Sequence, residues 1–109
     1  MKAESKSKLY KIIVRKNGRP DYLAIELYLD IVSQIKNHKL LFLKTSYAYF
    51  SKKYTYSKEQ IRRKLVCLES LNLIQRSFSD EVLPSGSKIT NILTLSLLDG
   101  GGVWVKLPF

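Results

Sequence analysis

Between Ser57 and Leu73 the chain carries both punctuation marks of a helix, and no other stretch constrains its fold as tightly. Ser57, followed three residues later by Gln60, matches a capping box, in which two side chains close N–H groups that the first helical turn leaves unpaired. Ile61, Leu65, Leu68 and Leu71 then fall on one face at helical spacing. Asn72 follows, and Asn is the commonest substitute for Gly at the left-handed position that ends a helix. The run Leu73 to Phe78 resumes at once with strand character.

The rest of the chain is read outward from that helix. Residues 1–8 are rich in Lys and Ser and read as a mobile arm. Leu9 to Lys16 contains Ile12-Ile13-Val14 and predicts a strand, closed by the turn signals Asn17-Gly18 and Arg19-Pro20. Asp21 predicts the cap of a helix running to about Lys36. Its first stripe is Leu23, Ala24, Leu27, Tyr28, Ile31 and Ile35; Ile25, Leu29 and Val32 form a second on another side. A helix apolar on two faces must cover both, with the N-terminal strand or with another subunit.

Leu40 to Leu43 predicts a short strand. Thr45 or Ser46 then caps a two-turn helix through Lys53, with Tyr49 and Phe50 expected inside. Tyr54-Thr55-Tyr56 suits a turn. Asp80 to Lys88, with Pro84-Ser85-Gly86-Ser87, reads as a hairpin loop. Ile89 to Leu97 alternates as a half-buried strand, Leu93, Leu95 and Leu97 facing one way and Thr94 and Ser96 the other. The expected organisation is a basic arm over 1–19, one domain over 20–98, and a joint with an apolar tail over 99–109.

Charge narrows the functional classes. The 109 residues carry a net charge of +10, and its distribution is uneven. Blocks 1–19 and 44–64 each hold seven Lys/Arg against one acidic residue, whereas 20–43 and 65–109 are each one unit acidic. A surplus gathered into two segments points to an anionic partner more than to general solubility. A lone cysteine, Cys67, excludes a disulfide framework. With no apolar run of membrane-span length and no apolar stretch near Met1, a cytoplasmic location is expected, nucleoid-associated if bacterial. His38 has no partner set for a metal, and neither a phosphate loop nor a nucleophile arrangement is present. No enzyme activity, metal or cofactor is expected.

Helix, short strand, helix, turn, helix and two-stranded hairpin is the order of the winged-helix branch of helix-turn-helix proteins. Residues 45–76, TSYAYFSKKYTYSKEQIRRKLVCLESLNLIQR, resemble that family in detail. Ser57, Ile61, Leu65, Leu68, Leu71, Leu73, Ile74 and Arg76 fall on its pattern. Asn72 replaces the usual Gly, and Tyr49-Phe50 the commoner Leu-Ala. The resemblance implies an α+β, mainly α fold: a three-helix core with a C-terminal β-hairpin wing. It also implies a helix from Ser57 that enters the major groove with its N-terminal residues foremost.

On that reading Gln60, Arg62 and Arg63 face base edges, since Arg pairs with guanine and Gln with adenine. Lys44, Ser46, Lys52, Lys53, Tyr54, Tyr56, Ser57 and Lys58 contact phosphates. The wing, Ser85, Gly86, Ser87 and Lys88, is expected to add little, because Asp80 and Glu81 make its near side acidic, unless the Ser85-Gly86-Ser87 tip offers its backbone N–H groups to a phosphate. The alternative for Arg62, Arg63 and Lys64 is a solvated face, and for the N-terminal cations a solubilising tail in place of a contact to a minor groove or flanking phosphates.

The leading reading is therefore sequence-specific binding of double-stranded DNA by a small transcriptional regulator. The others are the DNA-binding domain of a plasmid or phage replication initiator, and a winged-helix protein–protein adaptor. A homodimer through Ile25, Leu29 and Val32, or through the tail from Val103 to Phe109, is expected on the two-fold logic of such proteins. No membrane contact or small-molecule ligand is expected.

Overall fold

A computed structural model describes residues 9–98; the expected arm over 1–8 and the expected joint and tail over 99–109 lie outside them. The fold is α+β. Residues 9–12 are helical (α1), followed by α2 (Tyr22–Asn37), β1 (Leu43–Thr45), α3 (Tyr47–Tyr54), α4 (Lys58–Ser70), β2 (Ile74–Val82) and β3 (Lys88–Leu97). The strands form one antiparallel sheet in the order β1-β3-β2.

The segment at Leu9 is helical where the β-branched run Ile12-Ile13-Val14 predicts a strand. Leu9 and Ile13 lie one helical turn apart, the Ile13 N–H donates to the Leu9 carbonyl at 2.8 Å, and both side chains are completely buried. Burying those two residues on the core outweighs the weak strand preference of the run. Of the expected strand only an isolated bridge from Val14 to Pro20 remains. Leu9 and Ile13 therefore belong to the same core as the helices that follow.

Helix α2 runs as the sequence predicts, with the Asp21 carboxylate accepting from the Ala24 N–H. Its two stripes are both used. Ile25 and Val32 are only 1% and 2% exposed and belong to the same core cluster as Leu9, Ile13, Leu27 and Ile31; Leu29 packs against that cluster. The second stripe is therefore covered within the chain, which removes it as a dimer surface. Tyr28 is sealed in the same layer, and burial raises its phenol to about 12.

Three helices end in the same way, on a non-glycine residue in the left-handed region: Lys39, Thr55 and Asn72. After α4 the Leu73 N–H reaches the Leu68 carbonyl and the Asn72 N–H reaches that of Glu69. This is the paired bonding of a Schellman motif, and Leu68 and Leu73 are both fully buried beside it. Thr55 is the costly member of the set, because a β-branched side chain is disfavoured at positive φ. It turns the chain between α3 and α4, and the Ser51 hydroxyl and carbonyl hold the Tyr56 backbone there.

The hydrophobic face of α4, Ile61, Leu65 and Leu68, meets Phe50 of α3 and Leu93 and Leu95 of β3 in one core. Tyr49 does not join it. Its ring is 43% exposed, and Tyr47 and Tyr54 pack against the core instead. The apolar run at 40–43 also divides: the strand starts only at Leu43, and Leu41 is 89% exposed. Leu43 pairs with Leu95, so β3 is the central strand of the sheet. That explains why Thr94, expected on a solvent face, is buried. The hairpin is longer than the sequence predicts, with β2 reaching Val82. A bulge accommodates the extra residue: Asn91 adopts φ +56°, and its N–H donates to the Asp80 carboxylate at 3.0 Å.

Candidate nucleic-acid interface

Helix α4 is fixed at its N-terminus before any partner arrives. The Ser57 hydroxyl accepts from the Gln60 N–H at 3.1 Å, while the Gln60 side-chain oxygen accepts from the Ser57 N–H at 3.0 Å. One consequence concerns Gln60 itself. A two-point contact with adenine needs that side-chain oxygen as acceptor, and here the cap holds it. Only the amide NH2 of Gln60 is left to donate outward. Ser46 is likewise a cap, accepting from the Tyr49 N–H at 3.0 Å.

Arg63 projects from α4 opposite the buried face and Arg62 from its flank, with side chains 71% and 44% exposed. Both hold Glu59: Arg62 at 2.5 Å and Arg63 at 3.3 Å. The hydrogen bond from Arg62, reinforced by Arg63, lowers the Glu59 carboxyl to about 2. The carboxylate therefore stays ionised and draws the two guanidinium groups together on the outer surface. Among the described residues Lys58, in the first turn, has no ion-pair partner.

The flanks of α4 differ. On one side Lys58 borders a concavity of about 280 Å³ shared with Ser46, Tyr47, Phe78 and Asn91. On the other side Arg63 and Lys64 border a larger one, about 500 Å³, whose far wall is Arg15, Lys16 and Asn17. Lys64 is tied down there. Its ammonium lies 2.8 Å from the buried Asp21 carboxylate, the same group that caps α2.

The remaining expected contacts separate into held and open groups. Lys53 pairs with Asp30 at 2.9 Å, and the Tyr54 hydroxyl donates to Asp30 at 2.7 Å. Burial alone would raise the Asp30 carboxyl, but bonds from Lys53, Gln34 and Tyr54 outweigh it and hold the group below its ordinary value. Burial and the bond to Asp30 in turn push the Tyr54 phenol well up. Lys44 is paired with Glu81 across the sheet, and Arg76 with Glu69 and the Tyr47 hydroxyl. Lys52 and Tyr56 are exposed and carry no side-chain bond among the described residues.

The hairpin tip offers little. The Gly86 N–H donates to the Leu83 carbonyl and the Ser87 N–H to the Ser85 hydroxyl. Lys88 lies 3.5 Å from Asp80. The two acidic residues of the hairpin are thus matched by lysines, Asp80 by Lys88 and Glu81 by Lys44, so that region is closer to neutral than to acidic.

Sequence reasoning places Arg15 and Lys16 in an arm and does not connect them to α4. The connection runs through Asp21 and Lys64, which lie 43 residues apart, and no local pattern encodes such a contact. Cys67 borders the same concavity, and burial raises its thiol, which suits packing rather than reactivity. Among the described residues no group of three or more His, Cys, Asp or Glu side chains could hold a metal, and no helix is long and apolar enough to cross a membrane. In comparisons with family models, curated proteins and solved structures, no match is found for this chain.

Proposed function

We propose that this chain binds double-stranded DNA sequence-specifically, as a winged-helix transcriptional regulator that lays the outer face of α4 in the major groove. The observation that carries the reading is the pair Arg62 and Arg63, exposed on a helix whose opposite face is fully buried and whose N-terminus is capped. The α3–turn–α4 unit followed by an antiparallel hairpin supports the winged-helix assignment.

Arg62 and Arg63 are the base-reading side chains, each able to form a two-point contact with guanine. Glu59 holds them in place and can itself accept from a cytosine amine. Lys52, Tyr56 and Lys58 take phosphates, and the Gln60 amide adds a single donor. Lys53, Tyr54 and Lys44 serve the scaffold, and the hairpin tip adds no phosphate contact through its Gly86 and Ser87 amides.

Arg62→Glu with Arg63→Glu tests this reading. Fluorescence anisotropy on duplexes selected from a random pool should give at least a hundredfold loss of affinity, with the circular dichroism spectrum and melting temperature retained. Wild-type affinity should also fall steeply as salt rises, because displaced counterions accompany phosphate contacts. Unchanged affinity in the double variant would remove α4 as the contact surface.

A protein–protein adaptor is the second reading, favoured by the exposed apolar residues Val82, Leu83 and Ile89 near the hairpin tip. It requires duplex affinity that is weak and flat with salt, so the same titration separates the two.

A further inference from the structure

The basic concavity beside α4 is built from two parts of the chain that the sequence leaves unconnected. Its outer wall is the turn at 15–18, closed by a bond from the Arg15 N–H to the Arg19 carbonyl at 2.8 Å and from the Gly18 N–H to the Arg15 carbonyl at 2.9 Å. The Asn17 side chain accepts from the Arg19 N–H at 3.0 Å, and Gly18 supplies the positive φ, +82°, that the turn needs. The turn is anchored at both ends. Ile13 before it is fully buried, and the Asp21 N–H after it donates to the Ile13 carbonyl at 2.9 Å.

Charge is distributed asymmetrically in this space. At its base Lys64 and Asp21 neutralise each other. Around its rim Arg15 and Lys16 have no ion-pair partner among the described residues, and Arg63 shares the single carboxylate of Glu59 with Arg62. An anion entering the concavity therefore meets three cations whose compensation, among the described residues, is at most one shared carboxylate. Because the turn is already bonded and anchored, little ordering cost attends the approach of Arg15 and Lys16 to that anion.

We propose that this concavity seats a backbone phosphate of the DNA strand bordering the groove that α4 occupies. Arg15 and Lys16 grip it from one side and Arg63 reaches it from the other. The inference rests on the DNA reading above. It adds a second, sequence-independent anchor that sets how far α4 is advanced along the groove. Arg63 then stands between a base edge and a phosphate, so it couples position to readout.

The test is duplex binding by the full chain with Arg15→Gln and Lys16→Gln together, measured by anisotropy at several salt concentrations. Both side chains lie at the surface, so the melting temperature should be retained. The expected result is about tenfold weaker binding at 0.1 M salt, with the slope of log K against log salt shallower by about 1. The preferred sequence selected from a random pool should not change, whereas Arg63→Ala should alter both slope and preference. Arg15→Glu with Lys16→Glu should deepen the loss. Wild-type affinity and slope in the glutamine variant would overturn the phosphate seat while leaving α4 as the contact surface. Absence of duplex binding by the wild-type chain would overturn the seat and the DNA reading together.

Discussion

The turn at 14–20 and the segment 44–64 are both cation-rich in sequence, yet the fold treats their charges differently. In the longer segment Lys44, Lys53 and Lys64 each hold a carboxylate from another element: Glu81, Asp30 and Asp21. Arg62 and Arg63 share a local one. Only Lys52 and Lys58 stand without an ion-pair partner among the described residues. In the turn, Arg15, Lys16 and Arg19 all do. A count of positive charge along a chain therefore overstates what an anionic partner can reach. The acidic residues of a basic protein are few, and here they are placed where they bind the cations that brace the scaffold.

That contrast can be attacked at several points, beginning with its strongest tether. Asp21→Ala removes the α2 cap, worth about 1 kcal/mol, and leaves a largely covered Lys64 ammonium without its partner. Together these should lower stability by about 3 kcal/mol in urea denaturation. A neutral result would move Lys64 to the open group.

Asp30 comes next. Asp30→Asn should cost about 2 kcal/mol at neutral pH, since charge-assisted bonds from Lys53, Tyr54 and Gln34 are weakened. The folded carboxyl titrates below its ordinary 3.8, so its contribution is full above that value and disappears as pH falls through the lower folded value. Acid denaturation should show the wild-type advantage constant above about pH 5 and closing below 3.8. An advantage that persists unchanged into strong acid would show that the carboxylate charge is not what holds α3 on α2.

The finest comparison sets neighbours against each other. Lys53→Ala should cost about 0.5–1 kcal/mol of stability with little change in duplex affinity. Lys52→Ala should do the reverse, leaving stability within about 0.5 kcal/mol and weakening binding a few-fold. Equal behaviour of the two would erase the distinction between held and open lysines.

Much of the fold is legible in local chemistry. The Asp21 and Ser57 caps, the Gln60 capping box, the left-handed Asn72 and the buried Ile61-Leu65-Leu68 face all follow from spacing and residue type, while the structure selects Ser46 over Thr45 as the cap of α3. So does the outward placement of Arg62 and Arg63, once the opposite face is known to be core. Misreadings occur where two weak local preferences compete. Ile12-Ile13-Val14 has strand propensity, but the four-residue spacing of Leu9 and Ile13 serves the core better. Tyr49 and Phe50 have similar local signals, and only packing decides that Phe50 is buried and Tyr49 is not.

The sequence by itself determined where α2 and α4 begin, narrowed the cap of α3 to two neighbouring residues, and fixed which face of α4 is apolar and which side chains lie away from it. Those properties depend on interactions spanning three or four residues, which a one-dimensional pattern records. The tertiary structure alone decided which cations are spent on internal carboxylates, that the second stripe of α2 is covered, and that Arg15 and Lys16 stand across a cleft from Arg63. Each of these depends on partners tens of residues away, brought together by burial of a shared core, and burial is indifferent to order along the chain.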